Sequence, residues 1–282
     1  MLPAVLFAVG AALCLWYGYM RYVEPQILTH TRYPLRLPLP TMRIAIVTDF
    51  HAKPTKGARF FQRVVNAVQA SSPDLILLGG DLLDQLDSSL EALEPLRQLR
   101  APLGVYSVLG NHDTGAMDPN ITEPLPMHPL TEKLVAHLEN FGIAMLQNRH
   151  VVLTHNGRSF ALAGIGDIWS KHHDLELALK NVPADLPVLL LSHNPDIAAD
   201  PLSKRACLIV SGHTHGGQFR LPFYGPLPNL RTVIGKKFDQ GLFPVWESTT
   251  LLISRGVGEA LTQARLLAWP EVVTVDITST NS

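Results

Sequence analysis

The sequence predicts an α/β protein: two packed β-sheets with helices outside, carried behind an N-terminal transmembrane helix. Three observations lead there. Apolar runs of strand length alternate with helix-spaced segments between residues 42 and 140. Beyond residue 143 the period shortens to two and strands predominate. Residues 2–20, LPAVLFAVGAALCLWYGYM, carry no charge. Alternating strands and helices that lead into a strand-rich half fit layered sheets.

The 282 residues include 23 basic and 24 acidic side chains, for a formal net charge of −1. That balance excludes a strongly basic nucleic-acid binder and a disordered polyelectrolyte. Nothing points to an obligate protein partner. Past the first 40 residues about 240 remain, ample for a core without disulfides. Cys14 and Cys207 both lie in apolar runs and read as buried free thiols.

Nineteen uncharged residues span roughly 28 Å as a helix, about one hydrocarbon core. Trp16, Tyr17 and Tyr19 would sit at the interface. A cleaved signal peptide fits less well, since no basic segment precedes the run and no small-residue cleavage site follows it. Residues 1–21 are therefore expected as an anchor. Arg21, Arg32, Arg36 and Arg43 follow it, which places the remaining chain in the cytoplasm. Pro25, Pro34, Pro38 and Pro40 make residues 22–41 a Pro-rich linker, and residues 42–282 one domain.

Within that domain, residues 42–48 (MRIAIVT) form a buried strand. Phe61, Val64, Val65 and Val68 share one face of a helix over 58–70. Residues 74–78 and 103–109 make strands, with an amphipathic helix over 88–99, kinked at Pro95, between them. A helix over 130–140 precedes strands at 143–146, 150–154 and 159–165. A short helix near 173–180 follows, then strands at 187–191, 207–210, 242–246, 250–254 and 271–277.

Five polar motifs stand where these strands end: Asp49-Phe50-His51, Gly79-Gly80-Asp81, Gly110-Asn111-His112-Asp113, Ser192-His193-Asn194 and Gly212-His213-Thr214-His215. Ligands of α/β sheets bind beyond the carboxyl ends of strands, so the motifs can converge. Asp49, His51, Asp81, Asn111, His193, His213 and His215 offer carboxylate, imidazole and amide donors suited to divalent ions. Seven donors exceed one tetrahedral ion and suit two ions about 3.5–4 Å apart, which together activate a water and neutralise a phosphoryl group. His213 and His215 reach different ions only if the backbone bends between them. His112 is placed to donate a proton to a departing alkoxide.

The ordered set Asp-x-His, Gly-Asp, Gly-Asn-His-Asp, Ser-His and Gly-His-x-His resembles the calcineurin-like metallophosphoesterase family. The resemblance spans residues 43–215 and implies a four-layer αββα sandwich, with a metallophosphoesterase domain over 42–282. It implies one ion on Asp49, His51, Asp81 and His215, and the other on Asp81, Asn111, His193 and His213, with Asp81 bridging. It implies His112 as the catalytic proton donor or phosphate stabiliser, with Asp113 orienting its ring. Thr48 and Phe50 stand where the first motif more commonly has Ser and Leu, and Ser192 where the fourth has Gly, and none of them removes a ligand. Manganese is the expected ion, with zinc or iron as alternatives.

The stretch from Gly212 to Gln218, Gly235-Lys236 and the Ser254-Arg255-Gly256-Val257-Gly258 turn resemble a membrane-attached branch of that family. That branch implies a single-pass protein of the bacterial inner membrane acting on a lipid-linked nucleotide sugar. The expected reaction is cleavage of the pyrophosphate of UDP-2,3-diacylglucosamine to UMP and the acylated sugar 1-phosphate. The alternative is a membrane-attached phosphodiesterase or phosphomonoesterase of different range. Two Pro-rich loops, 114–130 and 219–230, offer Met117, Leu125, Met127, Phe219, Leu221, Phe223, Tyr224 and Leu227 to an acyl chain or bilayer, or pack as lids. Arg149, Lys171, Arg220, Arg231, Lys236, Lys237 and Arg255 are phosphate-binding candidates; His172 and His173, beside Asp167 and Trp169, are candidates to line the pocket.

Overall fold

The computed structural model describes residues 2–53, 56–86, 88–227 and 232–280. Helix α1 (Leu2–Gly18) buries none of its residues. It continues as a π-helical turn, Tyr19–Val23, and a 3₁₀ turn, Glu24–Gln26, so that Leu2–Gln26 is one apolar helix long enough to cross a membrane. Cys14 lies exposed on it, contrary to the expectation of a buried thiol.

Residues 29–37, expected within a linker, form a strand instead. This strand, β1 (Thr29–Leu37), runs parallel to the last strand, β14 (Glu271–Ser279). Only an edge strand tolerates Pro34, whose missing N–H has no neighbour to serve. Tyr33 and Leu35 pack on the core between the sheets, and Leu37 and Leu39 are buried in it. The prolines thus punctuate the edge of the domain rather than separate it from the anchor.

The first sheet continues through β2 (Met42–Val47), β3 (Leu75–Leu78), β4 (Val105–Ser107) and β5 (Ile143–Met145), in the order β1-β14-β2-β3-β4-β5. Only the β14–β2 pair is antiparallel. The second sheet takes β6 (Arg149–His155), β7 (Arg158–Gly164), β8 (Val188–Leu191), β9 (Leu208–Ser211), β12 (Gly241–Trp246) and β13 (Thr249–Ile253), in the order β12-β13-β9-β8-β7-β6. A two-stranded hairpin, β10 (Arg220–Leu221) and β11 (Gly225–Pro226), stands apart.

Strand alternation explains the layers. Ile44, Ile46, Leu75 and Leu77 meet Phe160, Leu162, Leu189, Leu191 and Val210 between the sheets. Their neighbours Ala45, Val47, Ile76 and Leu78 face outward against α2 (Ala58–Ala70) and α4 (Pro129–Asn140), where Phe61, Val64, Val65, Val68, Leu134 and Leu138 cover them. Outside the second sheet, Leu175 and Ala178 of α5 (Leu175–Leu179) cover Ala161, Ala163, Val188 and Leu190. Strands buried on both faces must be apolar throughout, which is why their sequences run without alternation. The architecture is the expected sandwich of two mixed sheets between helices. The helix expected over 88–99 also differs: Leu90–Gln98 form 3₁₀ turns, not a kinked α-helix. Pro95 lacks the N–H that an α-helical bond to residue 91 requires.

β2, β3, β4, β8 and β9 all end at the same edge of the sandwich, which brings the five polar motifs together. Cys207 lies at the opposite end. Its thiol donates to the Val188 carbonyl at 3.2 Å, and burial pushes its pKa up to about 12. An unfolded thiol ionises near pH 8.5, roughly its model-peptide value. At pH 9, Cys207 is therefore expected to resist a thiolate-seeking reagent in the native protein and to react once urea unfolds it. Equal rates in both states would contradict this burial.

Candidate metal centre

The chain arrives at the site in strained conformations. Asp49, His51, Asp81, His213 and His215 have φ of 53°, 45°, 50°, 70° and 53°. Left-handed backbone is unfavourable for residues with a Cβ, and such strain collects where side chains must be aimed. Glycines make the close approaches possible. A Cβ on Gly110 would lie 2.1 Å from Asp81 Oδ1, and one on Gly212 would lie 2.3 Å from Asp49 Oδ2.

The side chains form two groups that share Asp81. In the first, His51 Nε2 lies 3.0 Å from His215 Nε2 and 3.5 Å from Asp81 Oδ2, while His215 Nε2 lies 3.6 Å from Asp49 Oδ1. In the second, His193 Nε2 lies 3.2 Å from Asp81 Oδ2 and 3.3 Å from Asn111 Oδ1. His213 Nδ1 lies 3.0 Å from Asn111 Oδ1 and 3.3 Å from His193 Nε2. The bend expected within Gly-His-x-His is present, since His213 joins one group and His215 the other.

Hydrogen bonds fix which atoms face inward. His193 Nδ1 donates to the Gly79 carbonyl at 2.8 Å and His215 Nδ1 to the Gly258 carbonyl at 3.2 Å, which turns each Nε2 toward the centre. Asp81 Oδ1 accepts the His112 N–H and Asp49 Oδ1 the His213 N–H, both at 2.9 Å. Asp49 Oδ2 is buried without a hydrogen bond. Nitrogen and oxygen donors facing one another at about 3 Å, with an unpartnered carboxylate oxygen beside them, fit a divalent cation. Asp49, His51 and His215 make one triad close enough to share an ion, and Asp81, His193 and His213 make another.

Electrostatics within the protein point the same way. Burial, reinforced by neighbouring imidazoles, drives His51 and His215 far below the usual histidine range and His213 down to about 3. Burial and the nearby charge of Asp81 raise Asp49 to about 6. Burial would also lower His193, but the carboxylates of Asp81, Asp49 and Asp167 outweigh it and lift this imidazole to about 10. Asp81 itself is held well below the carboxylate range because His193, His112 and His51 outweigh its burial. His51, His213 and His215 are thus neutral at physiological pH, the protonation state a metal ligand needs, whereas His193 must give up a proton to bind a metal.

His112 sits against this cluster, its ring edge-on to that of His51 at 4.5 Å between centroids. Asp113 does not orient that ring. Its Oδ2 accepts the Gly110 N–H at 3.0 Å and its Oδ1 the Leu83 N–H at 2.9 Å, the geometry of a carboxylate in the first turn of the short helix α3 (Asn111–Thr114). The ring is held by His112 Nδ1 donating to the Asp84 carbonyl at 2.6 Å. None of the five motifs marks Asp84 as part of the site, nor Lys53, whose Nζ lies 3.5 Å from Asp84 Oδ1. The Asp81-x-x-Asp84 spacing on one strand-end turn is the sequence signal for Asp84.

Among the described residues, the arginine candidates for phosphate binding are committed elsewhere. Arg255 pairs with Glu271 at 2.6 Å, Arg149 donates to the Met145 carbonyl, and Arg220 pairs with Asp239. Lys236 and Lys237 lie over the rings of Tyr224 and Phe238. Arg231 falls outside the described residues. Trp169 does line the site, packing edge-on against His213 at 4.6 Å. His172 instead pins the 114–130 loop, with its Nε2 2.7 Å from the Leu125 carbonyl.

This centre matches a known family. The family model for calcineurin-like phosphoesterases covers residues 42–217. The chain belongs to the calcineurin-like phosphoesterases. It is 30% identical over 274 residues to the uncharacterized metallophosphoesterase YkuE of Bacillus subtilis, covering 94% of this chain and 91% of that one. It is 32% identical to the phosphodiesterase YaeI of Escherichia coli, covering 93% and 92% of the two chains. It is 27% identical to the UDP-2,3-diacylglucosamine pyrophosphatase LpxG of Chlamydia muridarum, covering 95% and 94%. Family and metal-binding triads together make this calcineurin-like protein a metal-dependent hydrolase.

Beneath the centre lies a buried polar cluster that no sequence motif marks. Arg265, fully buried, donates to the carbonyls of Arg255 (2.9 Å), Gly256 and Gly258, and Gly258 is the residue that holds His215. Lys56 Nζ donates to Val257 O at 2.7 Å, to Pro25 O at 2.9 Å and to Glu259. Burial drives the Lys56 amine down to about 7, against the pull of Glu259. Lys56→Met would leave two carbonyls buried without a donor and Glu259 with only Arg265 Nε, 3.6 Å away. A loss of about 3–5 kcal/mol is expected, the usual penalty for breaking a buried pair, read as a lower melting temperature in detergent. Because divalent ions bind only the folded centre, Mn²⁺ should raise the melting temperature and a chelator reverse it, with a gain of about 2.7 kcal/mol at 100 times Kd.

Proposed function

We propose that the protein is a membrane-attached phosphodiesterase that uses two divalent cations. The observation that carries this reading is the sharing of Asp81 Oδ2 between His51 Nε2 (3.5 Å) and His193 Nε2 (3.2 Å), which places two donor groups side by side. Asp49, His51, Asp81 and His215 would hold one cation, and Asp81, Asn111, His193 and His213 the other. Bound there, the cations supply Lewis acidity to the phosphoryl oxygens and a water acidic enough to attack at neutral pH. Mixed nitrogen and oxygen donors suit manganese, zinc or iron, and manganese is our reading.

The chain's own part is to aim donors and to handle a proton. His112 Nδ1 is fixed as a donor to the Asp84 carbonyl, so Nε2 is the atom that exchanges protons. When protonated, that nitrogen donates to the departing alkoxide. Asp113 keeps the loop in place through the Gly110 and Leu83 N–H groups and acts on His112 only through the backbone. Trp169 limits the motion of His213.

A diester substrate is favoured by the 32% identity to a phosphodiesterase over nearly the whole length of both chains. A second reading, cleavage of UDP-2,3-diacylglucosamine, draws on the 27% identity to LpxG, also over nearly full length. The exposed apolar side chains of Met117 and Met127 on the 114–130 loop are compatible with an acylated substrate. The anchor and the arginines that follow it support a single-pass protein of the bacterial inner membrane, with the domain in the cytoplasm.

Detergent-solubilised protein with Mn²⁺ should hydrolyse bis(p-nitrophenyl) phosphate faster than the monoester. Preferential UMP release from UDP-2,3-diacylglucosamine would instead favour the second reading, and faster monoester cleavage would overturn the first. Asp81→Asn is expected to lower bound metal and activity together. His112→Asn should keep its metal and lose roughly 10²–10⁴ in kcat. Metal loss in that variant would make His112 a ligand instead of a proton donor.

A further inference from the structure

An apolar surface beside the metal centre has no role in the chemistry above. The turn of the β10–β11 hairpin carries Phe223, fully exposed, and Tyr224, 66% exposed. Leu261 is 82% exposed. Leu267 borders the same shallow concavity as Leu221, Phe223 and Tyr224.

These residues are tied to the base of α1 by an unbroken run of main-chain hydrogen bonds. The Met20 carbonyl accepts the Arg265 N–H at 3.0 Å. Leu266 N–H donates to Gln218 O, and Leu266 O accepts the Arg220 N–H, both at 2.9 Å. Arg21 adds a side-chain bond to Gln263. The exit of the apolar helix, the 261–267 loop and the hairpin therefore lie side by side.

We propose that the tip of the β10–β11 hairpin and the 261–267 loop form a second membrane contact, seated in the headgroup layer of the bilayer that α1 crosses. The inference rests on α1 spanning that bilayer. Continuity with the anchor selects lipid over a soluble protein as the occupant, because a bilayer crossed by α1 already lies against this face. The side chains suit an interface. Phe223, Leu261 and Leu267 offer apolar area, and Tyr224 offers a ring with a polar end. Lys236 Nζ lies 4.5 Å over the Tyr224 ring, and exposed Lys236 and Lys237 attract anionic headgroups. His215 leads into this hairpin through Gly216, whose carbonyl accepts from Arg220 Nη1 at 2.7 Å. A seated hairpin would thus hold the metal centre close to the depth of lipid phosphates.

The test uses the full chain in nanodiscs of phosphatidylcholine and phosphatidylglycerol, with an environment-sensitive fluorophore on one cysteine at a time. The native Cys14 reports the anchor. Phe223→Cys and Leu261→Cys, each with Cys14→Ser, report the proposed contact; buried Cys207 stays unlabelled. Asp185→Cys, exposed before β8 at the opposite end of the sheets, is the aqueous control. Blue-shifted emission at 223 and 261, quenched by spin-labelled lipid and most strongly by a label near the headgroup, supports the contact. Quenching at Cys14 with 223 and 261 indistinguishable from 185 overturns it and leaves the anchor standing. Loss of quenching at Cys14 as well would overturn both. No outcome depends on turnover, so a wrong substrate assignment would not imitate either result.

Discussion

The Asp81 carboxylate is the group on which the site depends. It is almost wholly buried, at 1% exposure, at the end of a strand that is itself buried on both faces. An ionised carboxylate in such a place is sustained only by charge and hydrogen bonds supplied from elsewhere. One oxygen takes the His112 N–H, and the other faces His51 and His193. Every other donor of the centre comes from a different strand end, so the two sheets must be in register before Asp81 can stay charged. Folding and the assembly of the metal centre are in this sense one event.

Holding that many polar groups together strains the chain. Left-handed backbone at Asp49, His51, Asp81, His213 and His215 is paid for by the sandwich behind them. The Gly256–Gly258 turn shows how the strain is held. Gly258 N–H donates to Asp49 O at 2.6 Å, and Gly258 O receives the His215 ring. Beneath it, Arg265 fixes the same turn from the core.

The same buried layer joins the site to the anchor. Lys56 binds the Pro25 carbonyl, Glu24 Oε1 accepts the Ala268 N–H at 2.9 Å, and Arg265 N–H meets the Met20 carbonyl. With β1 sealed against β14, no free linker separates the helix from the domain. The apolar helix and the metal centre are thus joined by direct hydrogen bonds, which tie the direction of the helix to that of the site.

The sequence by itself determined the layered fold, because residues such as Ile44 to Val47 and Leu75 to Leu78 can be satisfied only with both faces buried. It determined the donor set too, because each motif follows a strand and carries metal-binding chemistry within a few residues. Local signals end there. Residues 29–37 read as a linker since their strand is made by pairing with residues 271–279, more than 230 positions away. Asp113 read as the partner of His112 because the two are adjacent, but a short helix turned its carboxylate toward backbone N–H groups. The roles of Asp84, Lys56 and Arg265 were set by tertiary structure alone, since a charge in a sequence carries no mark of the burial or the distant carbonyl that gives it a function.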